Sequence, residues 1–347
     1  MQHFRAPRWL PGGHAQTIWP ALFARRHVGR PLTFHRERWA TPDGDFIDVD
    51  FLQPSPDAGG CPATTMATTM TTTAAGASAP DRRPLLVLFH GLEGSSASHY
   101  AQAFGHWARE AGWAYAVPHF RGCSGELNLG PRAYHSGDFE EVGWILDRLR
   151  ARSTRPLRVV GISLGGNALM RWAEEAGDAA ATTAAAVASV CSPLDLAASG
   201  AHIGRGFNRQ VYTRMFLRTM KPKALAKLAQ HPGLFSRERL LAARDLYAFD
   251  DVFTAPLHGF RDTPDYWRRA AAKPHLARIR IPALVLNARN DPFIPAHSLP
   301  QAGHVGRFVT LWQPAHGGHV GFPAGRLPGH VLDLPAGVMG WMHTVAP

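Results

Sequence analysis

Gly161-Ile162-Ser163-Leu164-Gly165 closes the apolar run LRVVGI at 157–162 and opens a helical pattern, GNALMRWAEE. A strand-to-helix turn this tight carries a serine at its tip only if the neighbouring positions have no bulk, which the glycines provide. Such a turn lifts Oγ clear of a sheet. The helix behind it contributes free N–H groups and the positive end of its dipole. A serine placed so is suited to attack a carbonyl, with negative charge stabilised beside it as it develops. The competing reading is a glycine-rich turn of any strand–helix unit, such as one that binds phosphate. The strand before and the helix after favour the nucleophile.

A hydroxyl is a weak nucleophile and needs a base. With nineteen histidines in the chain, rarity selects none of them. Position does: in sheets that carry this turn, an acid and then a histidine follow the serine in the chain. Asn290-Asp291-Pro292 comes straight after the apolar stretch PALVLN, and His316-Gly317-Gly318-His319-Val320-Gly321-Phe322 straight after RFVTLW. Asp291 is preferred to Asp195, Asp262 and Asp265 because it ends a strand. His319 is preferred to His316 for its flanking glycine and the small Val-Gly that follows. As a metal site, His316 and His319 lack the three or four ligands zinc takes, so neither metal nor cofactor is expected.

A further loop, Phe89-His90-Gly91-Leu92-Glu93-Gly94, follows the strand-like PLLVLF. Its glycines let backbone approach a substrate closely, and the N–H groups of Leu92 and Leu164 are the expected oxyanion donors. His90, Gly91 and, from the loop His119-Phe120-Arg121-Gly122-Cys123-Ser124-Gly125, Arg121 are candidates for contact with substrate. His90 is read as tying its loop by hydrogen bonds rather than as the base, because a better base lies downstream. Cys123 is a poor alternative nucleophile, since nothing local marks a lowered pKa.

These loops need elements to hold them. Residues 36–52 alternate around Pro42-Asp43-Gly44 and predict a β-hairpin. Residues 53–83, with the near-repeat ATTMATTMTTT, have little to bury and read as a mobile surface insertion. Beyond it, apolar stretches at 84–90, 113–120, 157–162, 184–191, 282–288 and 306–312 read as strands. Helical patterns at 98–110, 134–150, 165–175 and 328–344 separate or follow them. This alternation is the mark of an α/β fold, a mostly parallel central sheet flanked by helices. Residues 193–275 break the rhythm with continuous helical character and read as a helical cap inserted within a single domain, 1–347.

Three scattered cysteines, Cys61, Cys123 and Cys191, fit a reducing cytoplasm better than a disulfide framework. No secretory leader is read at the N-terminus, and no apolar run reaches the roughly 18 residues of a membrane span, so stable membrane insertion is not expected. The net charge is +11, densest at Arg25-Arg26 and from Arg205 to Lys227. It is read as a solvated, Arg-rich surface, with no nucleic-acid partner, because no aromatic–basic motif accompanies it.

Taken together, Gly13-His14-Ala15-Gln16-Thr17-Ile18-Trp19-Pro20, His90-Gly91-Leu92-Glu93-Gly94, Arg121-Gly122-Cys123-Ser124-Gly125, Gly161 to Asn167, Asn290-Asp291-Pro292 and His316 to Phe322 resemble one family along nearly the whole chain. It is the YheT-like branch of the α/β-hydrolases, abhydrolase-domain esterases related to embryogenesis-associated proteins. The resemblance implies a Ser163–Asp291–His319 triad and cleavage of small-molecule or lipid acyl esters. An acyltransferase on the same residues, or a lipid-binding protein that keeps the fold without catalysis, are the alternatives. The Thr-rich insertion departs from the family pattern.

Overall fold

A computed structural model describes residues 1, 3–54 and 82–347. Most of the stretch read as an insertion, 55–81, lies outside the described residues, as does Cys61. The chain builds one eight-stranded sheet in the order β1-β2-β4-β3-β5-β6-β7-β8. The hairpin strands β1 (Phe34–Ala40) and β2 (Phe46–Leu52) pair antiparallel, and β2 lies antiparallel against β4 (Ala114–Pro118). The rest is parallel: β3 (Leu85–Phe89), β5 (Leu157–Ile162), β6 (Ala184–Val190), β7 (Ala283–Leu286) and β8 (Val309–Trp312).

The central strands are apolar on both faces because both faces are covered. Leu85, Val87 and Phe89 point to one core, together with Ile145, Leu149 and Leu169. Leu86 and Leu88 point to the other, against Phe104, Ala108, Val338 and Met342. The covering helices include α1 (Gly13–Leu22), α2 (His99–Glu110), α3 (Phe139–Ala151) and α4 (Leu164–Ala176). Helix α3 starts five residues later than its apolar stripe suggests. Residues 134–138 are held instead as a loop, where the Ser136 N–H donates to the Tyr266 hydroxyl at 2.9 Å.

Between β6 and β7 the chain runs through α5 (Leu196–Ile203), α6 (Arg214–Gln230), α7 (Arg237–Ala242), α8 (Leu246–Phe249) and α9 (Thr263–Ala270). Asp195, Ser236, Asp245 and Asp262 each cap the helix that follows with a side-chain oxygen. Asn167 of α4 ties this segment to the sheet: its amide donates to Ala270 O and accepts from Ala272 N. The last helix, α10 (Asp333–Val345), returns to the α2 side. Among the described residues no helix is long and apolar enough to cross a membrane.

Candidate active site

The parallel strands all deliver their loops to one edge of the sheet, the usual place for a site in this architecture. Ser163 joins β5 to α4 with φ 52° and ψ −119°, a region that side chains other than glycine avoid. The neighbouring glycines are sterically required. A Cβ at Gly161 would lie 2.5 Å from Gly166 Cα, one at Gly165 would lie 2.5 Å from His90 O, and one at Gly166 would lie 2.0 Å from Ser192 Oγ.

From this tip Ser163 Oγ lies 3.0 Å from His319 Nε2, and His319 Nδ1 lies 2.8 Å from Asp291 Oδ2. Asp291 is 4% exposed, and its second oxygen accepts the Phe293 N–H at 2.7 Å. The acid therefore has one oxygen fixed by backbone and the other directed at the imidazole. Phe293 also stacks on the His319 ring, with centroids 4.0 Å apart. The structure thus brings together Ser163, Asp291 and His319 from three separate loops. His316 is exposed and has no part in this relay.

The loop after β3 lies against the serine, so close that a Cβ at Gly91 would sit 3.2 Å from Ser163 Cβ. Its shape is fixed from outside. The Gly91 N–H donates to the Tyr100 hydroxyl at 3.0 Å and the Glu93 N–H to the Tyr134 hydroxyl at 3.1 Å. Between them, the Leu92 N–H has no protein acceptor among the described residues, and the same holds for the Leu164 N–H at the start of α4. Both residues line the cavity that holds Ser163 and His319.

Of the candidates for substrate contact, His90 takes the loop-tying role also expected of it, and Arg121 is held by acids at the cavity's border. His90 is fully buried; its Nε2 accepts the Phe120 N–H at 3.1 Å, and its Nδ1 donates to Gly91 O at 2.8 Å. Burial, with His119 nearby, pushes its pKa down to about 3, so it is a neutral strut that ties two loops together. Arg121 borders the cavity, but its guanidinium is taken by Glu141, Asp43 and Asp45 at 2.5 to 3.0 Å. Gly91 abuts the serine without lining the cavity. Burial pushes the Cys123 thiol up to about 12, which leaves it protonated and a poor nucleophile.

Sequence reasoning missed the residues that hold the histidine loop. Thr17 Oγ1 accepts the His319 N–H at 2.8 Å and donates to Gly13 O. Gln16, 1% exposed, accepts from Gly317 N at 3.0 Å and from Asn290 Nδ2 at 2.9 Å, and donates to Leu10 O. Asn290 Oδ1 in turn accepts from Gly318 N. Helix α1 is thereby clamped across the loops of both Asp291 and His319. Pro20 contributes by lacking the N–H that would take up the Gln16 carbonyl. Gly321 packs against that carbonyl so tightly that a Cβ would come within 1.7 Å.

The cavity, about 160 Å³, opens from the serine into the helices between β6 and β7. Leu196, Ile203, Phe216, Met220, Phe249 and Trp267 make most of it apolar. Asp250 also borders it, and burial raises its carboxyl to about 6.

Comparison with known proteins agrees with this architecture. The family described as the alpha/beta hydrolase fold matches residues 84–325. A protein of Escherichia coli (strain K12) that bears the name YheT and is named as a candidate esterase is 37% identical over 334 residues, 95% of this chain and 90% of its own. The phospholipase ABHD3 of Mus musculus is 28% identical, over 86% of this chain and 68% of its own. Among solved structures, mouse alpha/beta hydrolase domain-containing protein 10 superposes with a TM-score of 0.51 at 13% identity, covering 91% of this chain and 100% of its own, a likeness of fold alone. The chain belongs to the α/β-hydrolase family, on its YheT-like branch.

Proposed function

We propose that this protein is a serine esterase that cleaves carboxylic esters through Ser163, His319 and Asp291. The observation that carries the reading is the relay of 3.0 Å and 2.8 Å contacts from Ser163 Oγ through His319 to Asp291, at the end of an apolar cavity. The names of its relatives, a candidate esterase and a phospholipase, support the same class of reaction.

In this reading Ser163 Oγ attacks the ester carbonyl as its proton passes to His319 Nε2. Asp291 accepts a hydrogen bond from Nδ1–H and stabilises the imidazolium that results. The Leu92 and Leu164 N–H groups donate to the oxyanion; removing one such donor from a site of this kind costs about 10²–10³ in rate. His319 then protonates the departing alkoxide, and the acyl group remains on Oγ. Water, giving a proton to the same nitrogen, attacks the acyl-enzyme; His319 returns that proton to Ser163 Oγ as the acyl–oxygen bond breaks and the carboxylic acid leaves. The segment between β6 and β7 serves as a cap whose apolar lining accepts the acyl chain.

The test is covalent labelling by a fluorophosphonate, paired with hydrolysis of short-chain nitrophenyl esters. The unmodified chain takes up label on Ser163 and turns over ester, whereas Ser163→Ala does neither. Full esterase activity in the alanine protein would end the proposal. Added alcohol that diverts the acyl group away from water would redirect it to acyl transfer.

A further inference from the structure

Residues 205–244, in the segment over the cavity, carry ten lysines and arginines against one acid, Glu238. The whole chain has a net charge of +11, so this stretch accounts for most of it. Arg205, Arg214, Arg218, Arg237 and Arg244 are exposed. Among the described residues only two of the ten meet a carboxylate: Lys223 on Glu93 and Arg239 on Asp251, each at 2.9 Å. Lys227 turns inward onto the Asn128 and Gly130 carbonyls. Helix α7 folds back on α6, where Lys221 Nζ donates to Leu241 O at 2.8 Å. That contact brings Arg244 close enough to disfavour the Lys221 charge, second to burial. The fold therefore brings Lys221 and Arg244 together, on or beside the two helices that carry Arg214, Arg218 and Arg237.

The same segment exposes apolar side chains that a solvated basic surface has no need of. Phe207 is 55% exposed and Met215 52%. The helical run from 206 to 230 includes a π turn at Arg209–Thr213, which inserts one residue, so Met215 follows Phe207 by about two turns on nearly the same face. Phe207 is also the outer end of an aromatic series leading inward. Its ring lies 6.5 Å from Tyr212, Tyr212 lies 4.6 Å from Phe293, and Phe293 lies 4.0 Å from His319.

We infer that this face docks on an anionic lipid surface, with Phe207 and Met215 entering the headgroup layer and the arginines that meet no carboxylate reaching lipid phosphates. Charge complementarity selects an anionic partner. The exposed apolar pair selects lipid over nucleic acid, because a phosphate backbone offers those side chains nothing to bury against. The aromatic series joins that layer to the imidazole. The substrate class that follows, an acyl ester drawn from a membrane lipid, rests on the esterase reading; the docking itself does not.

The experiment is flotation of full-length Ser163→Ala protein with phosphatidylcholine vesicles and with mixed phosphatidylcholine–phosphatidylglycerol vesicles. Using the alanine protein separates docking from turnover. Binding is expected to the mixed vesicles alone and to weaken with salt. Arg205→Gln with Arg214→Gln and Arg218→Gln lowers partitioning on the order of 100-fold. Phe207→Ser with Met215→Ser lowers it about 10-fold. All five positions are exposed, so unchanged unfolding temperatures verify that the variants fold. Absence of binding to the mixed vesicles overturns the inference. So does binding that ignores the loss of Phe207 and Met215 while duplex DNA retains the chain to higher salt, which would mark a nucleic-acid surface. Failure of the unmodified chain to hydrolyse a soluble short ester, with docking intact, would remove the esterase reading and leave the surface standing.

Discussion

Replacing Ser163 by glycine should make the protein more stable than replacing it by alanine, the reverse of the ordinary order. Ser163 sits at φ 52° and ψ −119°. Holding a residue with a Cβ in such a region costs about 1–3 kcal/mol, and alanine keeps that cost while glycine does not. Against this, glycine adds about 0.4–1 kcal/mol of conformational freedom to the unfolded chain. Both variants lose the hydroxyl and its contact with His319, so that loss cancels between them. The balance favours glycine by about 1 kcal/mol. With an unfolding entropy of about 0.7 kcal/mol/K for 347 residues, this raises the midpoint by about 1–2 °C. Calorimetry of both variants at one scan rate reads the difference. Ala226→Gly, exposed within α6, serves as the control and should lower the midpoint by a similar amount. A Ser163→Gly protein that unfolds at or below the temperature of Ser163→Ala would refute the claim that the turn stores strain at its tip.

Asp291→Asn keeps the shape of the acid but not its charge, and kcat on a short nitrophenyl ester should fall about 10⁴-fold with KM little changed. Thr17→Val removes the acceptor of the His319 N–H at nearly constant volume; kcat should drop about 10-fold, and Thr17→Ser, which restores the oxygen, should recover it. Asp250 reports through stability. Burial raises its carboxyl from the ordinary 3.8 to about 6, so between those values the folded chain holds a proton that the unfolded chain has lost. Stability from this group therefore declines as pH rises through that window, and the full penalty stands above it. The midpoint advantage of Asp250→Asn over the parent should shrink as pH is lowered from 8 to 5; an advantage independent of pH would show that the carboxyl is already ionised.

The convergence of the three loops was legible because a parallel sheet collects strand ends on one edge. Once 157–162, 282–288 and 306–312 read as strands, the loops bearing Ser163, Asp291 and His319 had to leave from the same side. The supports were not legible. GHAQTIWPAL has a glycine before it, no side-chain cap and a proline inside, so nothing local announces α1. Its purpose lies in partners about 300 positions away, Thr17 on His319 and Gln16 on Gly317. The bonds made by Arg121 and His90 were illegible for a related reason. Their loops were placed correctly, but the direction of each side chain depends on the hairpin acids Asp43 and Asp45 and on the backbone of Phe120, contacts that no spacing encodes.

The family match begins at residue 84, yet the residues before it govern how firmly the site is held. The histidine loop carries Gly317, Gly318 and Gly321, with Gly317, Gly318, Val320 and Phe322 all at positive φ. Such a loop gives up much conformational freedom when ordered. It recovers that cost through bonds supplied by α1. On the other flank, Asp50 of the hairpin binds Ser96 Oγ at 2.6 Å and His119 Nε2 at 2.9 Å, securing both the loop that bears Leu92 and the loop that follows β4. Burial works against ionising Asp50, but Arg36, His119 and Ser96 together hold its pKa well below the usual range, so the anchor stays charged. Reactive groups need placement within a fraction of an ångström, and glycine-rich loops cannot hold it alone. The sheet therefore supplies position, while the N-terminal helix and hairpin supply rigidity. Substitutions in these two elements, none of which need touch a substrate, should act on kcat before they act on binding.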